Sequence, residues 1–322
     1  MSQPRAAGYY SRFGGFWPDR ADDSVAPDPA LSDEEAARFA HWRANGWVVL
    51  EGAVDRAAID ALNRDVERLW TGGNPRIWVD YFEDHERRTI PVEPRHRDIN
   101  LKVVDLYGQL ESARRVAFAP AILAFLRRLF ERDPMAFQSL YFRLGSQQPM
   151  HQDTAYVQVH PPMEFVGCWV ALEDVRPGSG ELEYYSGSHR IQEYLWDGVH
   201  KWMPPDHPDH DTYLAFLHEQ ARARGLRRVQ FRPRAGDALV WHADLAHGGA
   251  AHIEPGATRR SLVSHFCPVD REPGYFREMR HSEKLLDPSG AYYCYAKRWA
   301  PEHDESVATL RRWLGRGRSA AR

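Results

Sequence analysis

Two side chains that can bind a metal stand two residues apart in Pro149-Met150-His151-Gln152-Asp153-Thr154-Ala155-Tyr156. In extended chain, residues i and i+2 project to the same side. His151 and Asp153 would therefore offer an imidazole nitrogen and a carboxylate oxygen to one point. That is two parts of the facial set of two histidines and one carboxylate, which holds Fe(II) and leaves its remaining positions open. The pair alone is not specific, because a strand-end His beside an Asp is commonly just a hydrogen-bonded pair. A third ligand can come from Gly236-Asp237-Ala238-Leu239-Val240-Trp241-His242-Ala243-Asp244-Leu245-Ala246-His247-Gly248-Gly249. His247 ends that stretch before two glycines that allow close backbone approach, and His242 is its rival. Twelve residues beyond His247 comes Arg259, in Thr258-Arg259-Arg260-Ser261-Leu262-Val263-Ser264-His265-Phe266. Adjacent arginines on a strand point opposite ways. An inward guanidinium is costly unless it meets an anion, and its planar fork suits a carboxylate.

These residues need elements to hold them. Residues 1–30 read as an irregular arm with aromatic anchors at Phe13, Phe16 and Trp17. Ser32-Asp33-Glu34-Glu35 is a capping box opening a helix that Gly46 closes, and Trp47–Leu50 is a short buried strand. Asp55 caps a second amphipathic helix, and Pro120–Glu131 is a third, apolar almost all round. Arg76–Phe82 reads as a strand, Glu83–Asp98 as a charged loop, and Asn100–Leu106 is ambiguous. From Met135 the texture is of short strands: Ala136–Leu144, His151–Val159, Phe165–Glu173, Glu181–Tyr185, Val229–Phe231, Ala238–His242 and Ser261–Cys267, parted by Gly and Pro turns. Such punctuation argues a sandwich or barrel. Residues 196–226 interrupt the run, with a helix expected from Tyr213 to Arg224. An insertion of that length is commonly a cover or binding loop, and Trp196, Trp202, Tyr213 and Phe216 are available for a lid. A terminal helix near 306–314 and an Arg-rich tail close the chain, the tail reading as a solvated end.

Composition narrows the class. Of 322 residues, 43% are hydrophobic and 27% charged, and the formal net charge is -3, so nothing suggests a general nucleic-acid binder. Cys168, Cys267 and Cys294 are scattered without CxxC spacing, which excludes a disulfide framework and a structural zinc site. The N-terminus shows no signal-like apolar run and no stretch is long enough to span a membrane, so the expectation is a cytoplasmic protein without membrane partners. No GxGxxG or P-loop lysine occurs. Gly178-Ser179-Gly180 lacks the strand-to-helix context of a nucleophile elbow. His200, His207, His210 and His218 raise a second metal site, but the 206–211 stretch reads more simply as a polar loop.

Together, His151-x-Asp153, Gly236-Asp237, His247-Gly248 and Arg259 resemble the phytanoyl-CoA dioxygenase family of Fe(II)/2-oxoglutarate oxygenases. Cys168-Trp169-Val170-Ala171-Leu172-Glu173-Asp174, Gly180-Glu181-Leu182 and Ser186-Gly187-Ser188-His189 agree with that family's middle stretch, and the resemblance covers residues 30–270. It implies a mainly β protein, a double-stranded β-helix (jelly roll, cupin-like) core with N-terminal helices packed on one sheet. The whole chain would form one oxygenase domain: arm 1–30, helical support 31–134, core 135–270 with its insertion, and a C-terminal extension 271–322.

The resemblance also implies roles. His151, Asp153 and His247 would ligate Fe(II), with His242 left as a strand histidine bonded to a neighbour. Arg259 would bind the distal carboxylate of 2-oxoglutarate, with Lys102, Trp169 and Leu140 beside the cosubstrate. Gln138, Tyr156, Trp196 and Trp202 are candidate contacts to a small-molecule substrate. O2 would be the second cosubstrate, and succinate and CO2 the coproducts of an oxidised C–H bond. Halogenases related to the family carry a small residue where Asp153 stands, so hydroxylation is the expected outcome. Family members often have Ser two residues after the distal His, where this chain has Gly249. Three other readings stay open: a cupin-like metalloenzyme without 2-oxoglutarate, a catalytically silent jelly roll that binds a small molecule, and a protein-interaction module using the basic tail.

Overall fold

The computed structural model describes residues 11–19, 31–84, 86–204, 207–274 and 282–296. The expected terminal helix near 306–314, the arginine tail and much of the N-terminal arm lie outside these residues. The chain opens with α1 (Asp33–Asn45), β1 (Trp47–Leu50), α2 (Arg56–Gly72), β2 (Asn74–Glu83), β3 (Glu86–Val92) and β4 (Lys102–Val104). There follow α3 (Glu111–Ala117), α4 (Pro120–Phe130), β5 (Pro134–Phe142), β6 (Val159–His160), β7 (Val166–Ala171) and β8 (Leu182–Tyr185). The last part holds α5 (His210–Ala223), β9 (Arg228–Phe231), β10 (Ala238–His242), β11 (His247–Gly249), β12 (Ser261–Pro268), β13 (Glu272–Pro273), β14 (Ser282–Leu286) and β15 (Tyr292–Ala296).

The helix signals act as read. The Ser32 hydroxyl accepts from the Glu35 N–H while the Glu35 carboxylate accepts from the Ser32 N–H, and Gly46 stops α1 at φ 78°. That conformation costs any residue with a Cβ. A side chain at Gly46 would also strike the His189 ring, whose Nδ1 lies 2.4 Å from the Cβ position.

The large sheet runs β1-β10-β7-β12-β5-β4-β2-β3, and β11-β8-β9 form a smaller one, giving the jelly roll its two walls. Cross-strand register sorts the large sheet's faces. Tyr141, Cys168, Val170, Val240 and Leu262 share one core with Trp42, Ile59, Leu62, Ile122 and Leu126 from α1, α2 and α4. The opposite face carries Phe142, Trp169, Leu239, Trp241 and Val263, which meet Leu182 and Tyr184 of the smaller sheet. The helices therefore bury one face, and the other faces the barrel interior.

Two expectations are corrected. The stretch 83–98 contains β3, a charged edge strand paired with β2 and held by an Arg87–Asp80 ion pair. It has no apolar alternation because that edge meets solvent, so pattern alone misses it. The stretch 151–159 is not a strand. His151 makes a single bridge to His247, Asp153–Ala155 is a 3-10 turn, and extended pairing resumes only at Val159. Gln152 keeps an extended backbone (φ -106°, ψ 137°), which is enough to set His151 and Asp153 on one side.

Candidate active site

The two histidines are brought together by the backbone. His151 N–H donates to the His247 carbonyl and His247 N–H to the His151 carbonyl, both at 2.8 Å. Directly opposed residues of an antiparallel pair project to the same face, and the ring centroids lie 4.5 Å apart. Nε2 of each ring is 3.7 Å from Oδ1 of Asp153. One ligand atom from each of the three residues lies within 4.8 Å of the others, a group that could hold a metal ion.

The hydrogen bonds behind these atoms fix their orientation. Nδ1 of His151 meets the Pro149 carbonyl at 2.8 Å, and Nδ1 of His247 meets the Leu245 carbonyl at 2.9 Å. A carbonyl only accepts, so each Nδ1 carries the proton and each Nε2 keeps a lone pair for the shared point. Burial pushes the His247 pKa down to about 4, so the ring is neutral at physiological pH. Asp153 divides its oxygens. Oδ2 accepts from the Trp241 indole N–H at 2.8 Å and lies 3.3 Å from Nε2 of His265, while Oδ1 faces the histidines. Burial alone would raise the Asp153 pKa, but His247, His265 and His151 hold it well below the usual range.

His242 lost the rivalry through strand parity. Trp241 points into the barrel, so its neighbour points out, towards Trp42 and His189. Its Nδ1 accepts from the Asp244 N–H at 3.0 Å. Sequence reading missed Trp241 and His265. The signal was available for His265, which stands at i+2 spacing from Arg259, Ser261 and Val263 and so shares their face.

Arg259 lies deeper in the barrel, 1% exposed, with its guanidinium 5.5 Å from the Trp169 ring and 5.8 Å from Phe142. Its Nη1 donates to the Ser261 hydroxyl at 3.3 Å, and among the described residues it makes no ion pair. Among the described residues, its Nε and the Trp169 Nε1 are buried without hydrogen-bond partners. Burial lowers the Arg259 pKa to about 10 against the favourable fields of Glu181 and Glu173. A buried fork of this kind fits a carboxylate ligand.

Leu140 stands beside Val104 and Val263, and Val263 beside Trp169, in one cross-strand row. Lys102, two residues before Val104, shares that inward face, and burial lowers its pKa. Gln138 is paired with His265 on the same side. The space of the family's Ser is filled differently. A Cβ on Gly249 would lie 2.7 Å from both the Gln147 nitrogen and the Ser146 hydroxyl, so the 146–147 turn, with Gln147 at φ 50°, occupies that space.

Tyr156 sits edge-on to His151 and bonds His210 of α5 at 2.6 Å. Trp202 is half-buried in a cleft of about 250 Å³ with Phe13, Thr154, Val157, Val159, His160, His200, Lys201 and Glu272. Trp196 is 1% exposed and packs against Tyr194, His207 and Tyr213, in a core that the insertion shares with Met150, Ala155 and Ala246.

A jelly roll whose two histidines and one aspartate converge inside the barrel defines an oxygenase-type enzyme of the non-haem iron class. A model of the phytanoyl-CoA dioxygenase family matches residues 42–261, and this chain belongs to that family. Phytanoyl-CoA dioxygenase domain-containing protein 1 of Danio rerio is 24% identical over 270 residues, 73% of this chain and 89% of that protein. The Rattus norvegicus protein of the same name is 25% identical over 158 residues, 48% of this chain and 52% of its own.

Among solved structures, the epimerase SnoN in complex with Fe3+, alpha ketoglutarate and nogalamycin RO superposes with TM-score 0.57 at 19% identity, covering 83% of this chain and 99% of SnoN. EctD from S. alaskensis with 2-oxoglutarate and 5-hydroxyectoine gives 0.51 at 18% identity, over 76% and 78%. At such identities the likeness is one of fold. No helix among the described residues is long and apolar enough to cross a membrane.

Proposed function

We propose that this protein is an Fe(II)/2-oxoglutarate-dependent dioxygenase that oxidises a C–H bond of a small-molecule metabolite. The observation that carries the reading is the convergence of His151 Nε2, His247 Nε2 and Asp153 Oδ1, with a buried arginine in the same barrel that makes no ion pair among the described residues. Neighbours of the same fold hold iron and 2-oxoglutarate, which supports it.

In this reading His151, Asp153 and His247 hold the iron. Arg259 takes the distal carboxylate of 2-oxoglutarate, with Ser261 supplying the hydroxyl that Gly249 lacks. Trp169 and Leu140 wall the cosubstrate, and Lys102 lends a positive charge from the same face. Bound there, iron and 2-oxoglutarate would activate O2, which is the oxidant of both the C–H bond and 2-oxoglutarate, the latter leaving as succinate and CO2. The protein's share is orientation: imidazoles aimed by carbonyls, a carboxylate aimed by Trp241, and apolar walls that keep water out. Asp153 occupies the position whose carboxylate favours hydroxylation over halogenation. Substrate would approach through the cleft beside Thr154, past Trp202 and Tyr156 towards Gln138, while Trp196 serves packing.

Anaerobic titration of the Fe(II)-loaded protein with 2-oxoglutarate tests the reading. A weak visible charge-transfer band is expected in the wild type and is expected to fade in Asp153→Ala. Iron binding without a band would sink the cosubstrate assignment and favour a cupin-like metalloenzyme.

A further inference from the structure

We infer that the described part of the insertion, residues 196–204 and 207–226, forms a fixed buttress of the metal centre rather than an opening cover, with Tyr213, Lys201 and Asp244 as positioning residues. The inference rests on the metal-site reading above and concerns what holds that site in shape.

The contacts reach the backbone between the ligands. Tyr213, 1% exposed, accepts on its hydroxyl the N–H of Gln152, the residue between His151 and Asp153, at 2.9 Å. Gln152 is itself buried, so without that hydroxyl its N–H would have no solvent to turn to. The Gln152 side-chain amide donates to the Asp244 carbonyl at 2.7 Å. Asp244 belongs to the turn that leads into His247. Its carboxylate accepts from Thr154, the residue after Asp153, and from Lys201 Nζ at 2.6 Å. One carboxylate thus ties together the Asp153 turn, the His247 turn and the insertion.

The ion pair decides how freely the insertion can move. The side chains of Lys201 and Asp244 are each 2% exposed. Breaking a buried pair leaves an uncompensated charge, which is far more costly than opening a surface bridge. Packing adds to this. Trp196, Tyr213 and Leu217 share a core with Met150, Ala155 and Ala246, which flank the three ligands in sequence. At the start of α5, His210 holds Tyr156 beside His151. The segment cannot lift without loosening the turns that present all three ligand side chains.

Co(II) titration of the metal-free full chain, read by visible d–d absorption, tests this. Thermal melts of the metal-free protein and its circular dichroism serve as controls. Tyr213→Phe removes one oxygen and keeps the ring. It is expected to weaken Co(II) binding by about tenfold, as losses of supporting hydrogen bonds around metal ligands do, while the metal-free fold persists. Lys201→Met should weaken it at least as much, and Lys201→Arg, which keeps the charge, should restore it to within about threefold of wild type. A merely structural role would lower the melting temperature of the metal-free protein without changing affinity or spectrum. Unchanged Co(II) affinity in a folded Tyr213→Phe protein would overturn the inference even if Lys201→Met failed to fold. A wild type that binds no Co(II) would overturn the metal reading, and the buttress with it.

Discussion

The indole N–H of Trp241 donates to Oδ2 of Asp153 at 2.8 Å, so the aspartate's other oxygen is turned to the histidines. Trp241 and Asp153 are 88 residues apart in the chain, and the bond exists only because β10 crosses the barrel beside the His151 bridge. Trp241→Phe removes the donor and keeps an aromatic side chain, though a smaller one. It should lower Co(II) or Fe(II) affinity by about 10- to 100-fold with little loss of fold. Metal titration of the variant at wild-type affinity would show that Asp153 is oriented by something else.

Gly167 supports the same tryptophan. A Cβ there would lie 2.2 Å from the Trp241 ring, and its backbone angle alone gives no reason for glycine. The residue is small because the indole lies across it. Gly167→Ala should therefore cost about 1–3 kcal/mol from overpacking and also displace the aspartate's partner. Urea unfolding and metal titration together check this: a stability loss with intact metal affinity would separate the ring from the site.

Arg259 is a buried cation that donates to the Ser261 hydroxyl and, among the described residues, makes no ion pair. Arg259→Met removes an unpaired buried charge, so the metal-loaded protein without cosubstrate should be no less stable than wild type. 2-Oxoglutarate at about one hundred times its wild-type Kd should then stabilise wild type by about 2.7 kcal/mol and leave the variant unmoved. Thermal melts with a redox-inert divalent metal make the comparison. An equal upward shift in both proteins would remove Arg259 from the cosubstrate site.

The buried histidines outside the barrel give the acid limb of stability. Burial lowers His242 to about 3 and His189 well below its usual range. Between pH about 6.5 and 3 the unfolded chain takes up a proton at position 242 that the folded chain refuses. Stability is thus fully present above pH about 6.5 and falls as pH drops, by up to about 1.4 kcal/mol per pH unit for one such group. Asp19, raised to about 7 by burial, works with the opposite sign over pH 4 to 7. His242→Gln should flatten the acid slope by up to one proton. Urea midpoints from pH 4.5 to 7 would show it, and an unchanged slope would place the burden on His189.

The sequence by itself determined the ligand candidates, the caps of α1 and α2, and strands such as Ala238–His242, which matches β10 residue for residue. These depend on local rules: a hydroxyl and a carboxylate three apart, glycine at a left-handed stop, i+2 spacing in extended chain. Register and parity lie beyond such rules. Whether His242 or His247 faces the metal point turns on a one-residue alternation, decided when β10 seats Trp241 inward. The edge strand β3 carried no pattern because Glu86 to Thr89 are exposed on both faces, leaving no buried face to impose alternation. The stretch after Asp153 looked like strand because its side chains are buried, yet they are buried against the insertion and the His247 turn. Only the tertiary structure could supply the partners of Asp153, since Trp241 and His265 reach it from strands far apart in sequence. It also brought Tyr213 and Lys201 of the insertion against the turns that carry His151, Asp153 and His247, because burial of Tyr213, Lys201 and Asp244 depends on three segments meeting at once.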